Sequence, residues 1–255
     1  MSDQGTTAIP VTTAVSIVIP AKNEAANIVP LVEEIATVLA GRLNYEVIVV
    51  DDGSSDNTAE LLRGLAGERP WLRSLRQDVS CGKSAAIRTG VKAATHPVIA
   101  TLDGDGQNDP SFVPALVAEL DKGGAAVGLV AGQRSKRKDG AWKKTQSRIA
   151  NAIRGRILKD GTRDSVCGLK VFRREVFLAL PYFDTMHRFL PALVRREGYD
   201  IRHVDVVDRP RWHGKSHYGM WDRLWVGVPD LLGVWWLVRR RRRVPQVSEV
   251  KNDAR

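Results

Sequence analysis

Residues 98–110, VIATLDGDGQNDP, set Asp103, Asp105 and Asp109 directly behind an apolar run, with Gly104, Gly106 and Gln107 threaded among them. Two carboxylates one residue apart, with no lysine or arginine between them, repel each other unless positive charge lies close by. A hard divalent cation is the simplest remedy. Mg2+ or Mn2+ takes oxygen ligands from one or two carboxylates, from a side-chain amide such as Gln107, and from the phosphates of a substrate. Gly104 and Gly106 keep the loop free of side chains where a large ligand would approach. An EF-hand beginning at Asp103 would need glycine at position 108 and glutamate at position 114, and Asn108 and Pro114 stand there instead. A dinucleotide fingerprint also fails, because Asp109 replaces the third glycine of G-x-G-x-x-G.

The elements around this loop explain how it would be presented. Val15–Pro20 (VSIVIP), Tyr45–Val50 (YEVIVV), Trp71–Arg76, Val98–Leu102 and Ala126–Ala131 read as strands. Helical spacing falls between them: Ile28, Leu31, Val32, Ile35, Val38 and Leu39, then a helix from about Thr58 to Leu65, one after Lys83, and one near Pro110–Lys122. Strands alternating with helices imply parallel pairing with right-handed crossovers, so the loops after the strands gather on one edge of the sheet. Asn23 and Glu24, Asp52 of DDGSSDNT, and the pair Asp103 and Asp105 all follow strands, and are expected to share one cleft. The stretch SCGKSAAIRTG, 80–90, lacks Walker spacing, yet Lys83 and Arg88 lie where a helix start meets phosphate oxygens.

Beyond Gly132 the character changes. Arg134–Lys144 is a basic loop, and Gln146–Lys159 reads as a helix carrying Arg148, Arg154 and Arg156. Thr162–Arg174 is expected to return to short strand, Met186–Glu197 to form a helix, and Ile201–Val207 a last strand. The loop Arg209–Gly219 holds Arg209, Arg211, His213, Lys215 and His217, cations suited to folding over an anionic ligand. Trp221–Trp236 then gathers four tryptophans ahead of five consecutive arginines, Arg239–Arg243. Tryptophan favours the headgroup region of a bilayer, and each basic residue near an anionic leaflet adds about 1 kcal/mol. The expected organisation is a flexible tail over 1–14, a catalytic domain over 15–219, an interfacial membrane segment over 220–243 and a disordered tail over 244–255.

Composition agrees. The chain has 255 residues, 43% hydrophobic and 27% charged, enough for one large α/β domain with an appendage. A formal net charge of +10 points to an anionic partner: nucleic acid, membrane or phosphorylated substrate. No recognisable nucleic-acid reader domain accompanies the basic tail. Cys81 and Cys167 are the two cysteines, and with no signal peptide in view they suggest a reducing setting without a disulfide framework. The longest apolar run, Leu224–Val238, is broken by Pro229 and Asp230 and is short for a bilayer span.

Taken in order, SIVIPAKNE, VIVVDDGSSDNT, the Gly82-Lys83 loop, TLDGDGQNDP, DSVCGLKVFRRE and the R-x-x-G-x-S element at Arg211–Ser216 resemble glycosyltransferase family 2. More narrowly they resemble its polyprenyl-phosphate branch, which includes dolichol-phosphate mannose synthase. The resemblance covers roughly 15–219 and implies a Rossmann-like GT-A fold with a mostly parallel central sheet. It also implies a nucleotide-sugar donor linked to UDP or GDP, Mg2+ or Mn2+, and inverting transfer to a polyprenyl phosphate. Carried over by motif, Pro20, Asn23, Glu24, Asp52, Lys83, Asp103, Gly104 and Asp105 bind the donor. Asp103, Asp105 and Gln107 hold the metal, and Asp103, Asp105 and Arg211 are catalytic. Arg134, Arg148, Arg211 and Lys215 receive the acceptor phosphate and donor pyrophosphate. Lys170 stands where arginine is common, and His217 interrupts the usual S-K pair. Together the tail and the acceptor imply work at the cytoplasmic face of the cell membrane, on an anionic surface, without nucleic acid. The competing readings are a family 2 enzyme with a soluble glycan or protein acceptor, a nucleotidyltransferase, which SIVIPAKNE disfavours for want of a Gly-rich, Arg-containing loop, and a non-catalytic adaptor.

Overall fold

In the computed structural model, residues 13–134, 154–213 and 220–240 are described, and the last helix has described side chains from residue 228 onward. The first strand, β1 (Ala14–Ala21), shows why the chain forms three layers. Val15, Ile17 and Ile19 point to one face of the sheet and Val18 to the other, and all four are fully buried. A strand apolar on both faces is stable only with helices on both sides. Helices α1 (Ala25–Leu39), α2 (Thr58–Glu68) and α4 (Val113–Lys122) cover the first face, with Ile28, Leu31, Ile35, Leu62, Leu116 and Leu120 in its core. Helices α3 (Lys83–Ala93), α6 (Arg174–Ala179) and α7 (Leu190–Arg196) cover the second, with Ile87, Val91, Phe177 and Leu193. Fully burying one such side chain contributes about 1.5–3 kcal/mol. Gly90 lets α3 approach β1 closely, since a methyl there would meet both Val18 and Val50.

Among the described residues the sheet has seven strands in the order β3-β2-β1-β4-β6-β5-β7. They are β1, β2 (Asn44–Asp52), β3 (Leu72–Gln77), β4 (Val98–Thr101), β5 (Val127–Arg134), β6 (Lys170–Arg173) and β7 (Asp200–Val206). All pairings are parallel except those of β6, which runs antiparallel to both β4 and β5. The carboxyl ends of the six parallel strands, and the amino end of β6, therefore meet on one edge. A fifth helix, α5, occupies 154–158, and α8 (Met220–Arg239) ends the described chain. Among the described residues no helix is long and apolar enough to cross a membrane.

Several expectations are corrected in detail. The stretch expected as strand over Thr162–Arg174 is strand only at Lys170–Arg173. Before it the backbone is held by side chains: Thr162 N–H donates to Asp160 Oδ1 (3.0 Å), Val166 N–H donates to Asp164 Oδ1 (3.2 Å), and the buried Arg154 pairs with Asp160. The helix expected over Met186–Glu197 divides into a 3-10 turn, Met186–Arg188, and α7, because Pro191 lacks an N–H and fits only the first turn of a new helix. Pro114 likewise starts α4 after a 3-10 turn at Pro110–Phe112. Ala14 already pairs with Asn44, so the sheet begins inside the expected tail. The rest of the helix expected from 146, residues 1–12 and residues 244–255 lie outside the described residues.

Candidate active site

The ends of β1, β2 and β4 surround a cleft of about 500 Å³. Pro20, Asn23 and Glu24 border it from the β1 loop, Asp52 from β2, Lys83 from the start of α3, and Asp103, Gly104 and Asp105 from the β4 loop. Arg211 closes it from the segment after β7. The eight residues assigned to the donor from the sequence thus line one hollow, together with Arg211.

Charge in this cleft is unevenly compensated. Lys83 Nζ donates to Asp103 Oδ1 (2.5 Å), while the Asp103 N–H donates to Asn108 Oδ1 (3.0 Å). Burial works against ionisation of Asp103, but Lys83, with Lys170 and Arg134 behind it, holds its pKa below the usual carboxylate range. Asp105 accepts from the Arg211 guanidinium at 2.7 Å through Oδ2 and from the Gln107 N–H at 3.1 Å through Oδ1. Burial, then repulsion from Asp103, nevertheless pushes its pKa up. Glu24 is raised as well, first by burial and then by Asp105, against a 2.6 Å hydrogen bond from Asn27 Nδ2. Two carboxyls held up by desolvation and mutual repulsion, beside a third that needs a lysine, form a hard-oxygen site with negative charge left to neutralise. A divalent cation fits that donor set. Among the described residues no group of three or more His, Cys, Asp or Glu side chains stands ready to hold a metal alone, so ligand oxygens would complete the coordination.

Gln107, assigned to the metal from the sequence, is not among the residues bordering the cleft. Its N–H goes to Asp105, and its carbonyl accepts from the Arg209 N–H (2.9 Å), so it ties the β4 loop to the segment after β7. Arg134 is also elsewhere. Its guanidinium bridges Asp164 (2.9 Å from Nη2) and Asp208 (3.1 Å); burial works to lower its pKa, but the two carboxylates together raise it and leave it behind Asp103 as a structural cation. Arg148, Lys215 and His217 lie outside the described residues.

Other contacts had no signal in the sequence. Asp52 receives Ser80 Oγ (2.9 Å) and the N–H groups of Cys81 (2.7 Å) and Gly82 (3.0 Å), so its carboxylate organises the turn before α3 and with it Lys83. Gly82, at φ +88°, makes that turn possible. Gly168 abuts Asp103 so closely that any side chain would displace the carboxylate. Lys170 is fully buried beneath it and donates to the Cys167 carbonyl, and burial lowers its pKa to about 8. Trp212 packs against Gly106, where a Cβ would come within 2.6 Å of the ring. Arg209 stacks on Trp212 (5.3 Å) and forms a two-pronged bond to Glu34 of α1 (2.6 and 2.9 Å). This clamp holds Arg211 beside Asp105.

Comparison with known proteins fits this geometry. Residues 16–180 match the sequence signature of "Glycosyl transferase family 2". The chain is 36% identical over 233 residues to a dodecaprenyl-phosphate galacturonate synthase of Rhizobium johnstonii, covering 89% of this chain and 68% of that protein. It is 34% identical over 210 residues to an undecaprenyl-phosphate 4-deoxy-4-formamido-L-arabinose transferase of Yersinia enterocolitica, covering 81% of this chain but only 63% of the relative. In three dimensions it is similar to glucosyl-3-phosphoglycerate synthase from Mycobacterium tuberculosis, crystallised with Mn2+, UDP and phosphoglyceric acid. The TM-score is 0.66 at 20% identity, over 91% of this chain and 80% of that one, which supports a shared GT-A fold. With its signature spanning well over half the sequence, and with a sheet edge that carries the matching motifs, this chain belongs to glycosyltransferase family 2.

Proposed function

We propose that the chain transfers a sugar from a UDP- or GDP-linked donor to the phosphate of a polyprenyl phosphate, with inversion, giving a lipid-linked monosaccharide. The observation that carries this reading is the cleft itself, in which Asp52, Asp103 and Asp105 face Lys83 and Arg211. The names of the Rhizobium and Yersinia relatives supply the acceptor class. A uronic acid or an aminoarabinose derivative is the sugar type most in keeping with them.

Each residue then has a task. Asp52 keeps the turn at Ser80–Gly82 in place, so that Lys83 reaches the donor phosphates. Asp103 and Asp105 would hold Mg2+ or Mn2+ against the diphosphate, which supplies positive charge where the leaving group becomes more anionic. Gly104 leaves room for the donor, being 3.2 Å at its would-be Cβ from the Pro20 carbonyl. Arg211 is fixed at the mouth, where it can orient the attacking phosphate. That nucleophile needs little base assistance, because the second pKa of a phosphate monoester is about 6. With an amphiphilic acceptor and a tail of tryptophans and arginines, the enzyme works at the cytoplasmic face of the membrane as a peripheral protein.

The test is release of nucleoside diphosphate from a panel of nucleotide sugars, with Mn2+ and a short-chain polyprenyl phosphate. Asp103→Ala is expected to lower turnover at least a hundredfold, on the order of what removing one transition-state charge partner costs elsewhere. Retained turnover in that variant would refute the role of Asp103. Release that requires a soluble glycan instead of the lipid phosphate would refute the acceptor.

A further inference from the structure

Helix α8 is apolar on two sides, and among the described residues only one of them packs on the domain. Val234 is 2% exposed and, with Leu231 and Leu237, packs on the core beneath α7. On the other side Val228, Leu232 and Trp236 are 52%, 58% and 55% exposed. Four-residue steps place these three on one stripe, about 12 Å long at the rise of an α-helix. They are three of the eight exposed large apolar side chains among the described residues, so the surface concentrates there.

The helix is fixed to the domain. Asp230, the acid that interrupts the apolar run, accepts a hydrogen bond from Thr185 Oγ1. Arg196 of α7 donates to the carbonyls of Leu237 (3.0 Å) and Arg240 (3.4 Å). At the same end Arg239 lies over Trp235 (4.2 Å) and Arg240 over Trp236 (5.5 Å), and Arg241, Arg242 and Arg243 follow in the sequence. An apolar stripe ending in stacked tryptophan and arginine suits the boundary between acyl chains and anionic headgroups. A second copy is the poorer occupant. It carries the same +10 charge, and Asp230, the acid of the described part of this helix, is already taken by Thr185.

We propose that the Val228, Leu232 and Trp236 face of α8 rests in the headgroup layer of an anionic bilayer, with the helix lying along the surface and its Leu231, Val234 and Leu237 face holding the catalytic domain. The proposal deepens the peripheral location in the proposed function and relies on that reading only for the choice of a membrane as partner. It also divides the tryptophans: Trp236 meets lipid, while Trp235 belongs to the domain side, packed with the core and covered by Arg239.

The experiment is flotation of the full chain with phosphatidylcholine vesicles, with and without phosphatidylglycerol. The wild type is expected to float with the anionic vesicles. The double substitution Leu232→Ser and Trp236→Ser should weaken that binding about tenfold or more, with circular dichroism and melting unchanged because both positions are exposed. Val228→Ser provides a second, milder probe in the same direction. Wild-type flotation by both variants would overturn the proposal, as would self-association in vesicle-free solution that the double substitution abolishes. Sugar transfer to a short, water-soluble polyprenyl phosphate is scored separately. If flotation behaves as expected and no transfer occurs, the proposed reaction fails and the surface stands.

Discussion

Replacing Gly168 by alanine probes the cleft from behind without removing a charged group. The new methyl would stand 2.6 Å from Asn108 Oδ1 and closer still to Asp103 Oδ1. Neither neighbour is free to yield. Asn108 Oδ1 accepts the Asp103 N–H, Asp103 is held by Lys83, and the Gly168 carbonyl is pinned by Thr101 Oγ1 at 2.7 Å. Overpacking of this kind costs about 1–3 kcal/mol. Taking about 2 kcal/mol, and about 2–4 °C per kcal/mol for a protein of this size, Tm should fall by roughly 4–8 °C. The carboxylate must also swing away from the position facing the cleft, so affinity for nucleoside diphosphate with Mn2+ should drop at least about tenfold, or ~1.4 kcal/mol. Calorimetric titration and thermal melting measure the two effects. Gly90→Ala is the control: its methyl meets Val18 and Val50 in the core, so it should lower Tm without weakening the nucleotide. Wild-type nucleotide affinity in Gly168→Ala would show that Asp103 is not the group that presents the metal and donor.

Glu46 gives a prediction about acid. Burial opposes its ionisation, but hydrogen bonds from Ser16 Oγ, the Thr95 N–H and hydroxyl, and Arg73 prevail and bring its pKa to about 2. A carboxyl lowered in the fold stabilises it above the unfolded pKa, near 4.5, and loses that contribution as pH falls toward 2. Glu46→Gln should therefore flatten the stability profile between about pH 4.5 and 2, seen as a smaller fall in Tm over that window. Arg134→Ala would take the shared guanidinium from two mostly buried carboxylates, Asp164 and Asp208, and a loss of about 3–5 kcal/mol is expected by denaturant titration. Lys83→Met removes the cation that contributes most to holding Asp103 ionised, and should weaken nucleotide binding at least about tenfold while leaving Tm within a few degrees.

Much of this architecture was legible because the signals are local. Strands buried on both faces leave unbroken apolar runs, and each run that ends in Asn, Asp or Glu marks an exit toward the cleft, as β1, β2 and β4 do. Helix spacing located α1 through α4 within a few residues. What the sequence hid depends on long-range contact. The reversal of β6 has no compositional mark, since Lys170–Arg173 would read the same in either direction. Nor does any spacing reveal that Asp52 would bind the turn at Ser80–Gly82, that Gln107 would join Arg209 rather than border the cleft, or that Arg134 would be enclosed by two carboxylates. A basic residue read as a phosphate ligand and one read as a structural cation are identical in the chain, and only the fold tells which acids lie beside them.

The backward course of β6 has an architectural consequence. Thr101 at the end of β4 pairs with Lys170 at the beginning of β6, and β5 finishes on the same edge at Arg134. The entry to β6 therefore lies on the cleft edge, and the residues that lead into it, Cys167, Gly168 and Leu169, are packed against the core and the β4 loop, so a change there is felt at Asp103. The antiparallel strand thus serves as a backstop: by running the other way it brings a side-chain-free residue, Gly168, directly behind the carboxylate that the parallel strand β4 delivers.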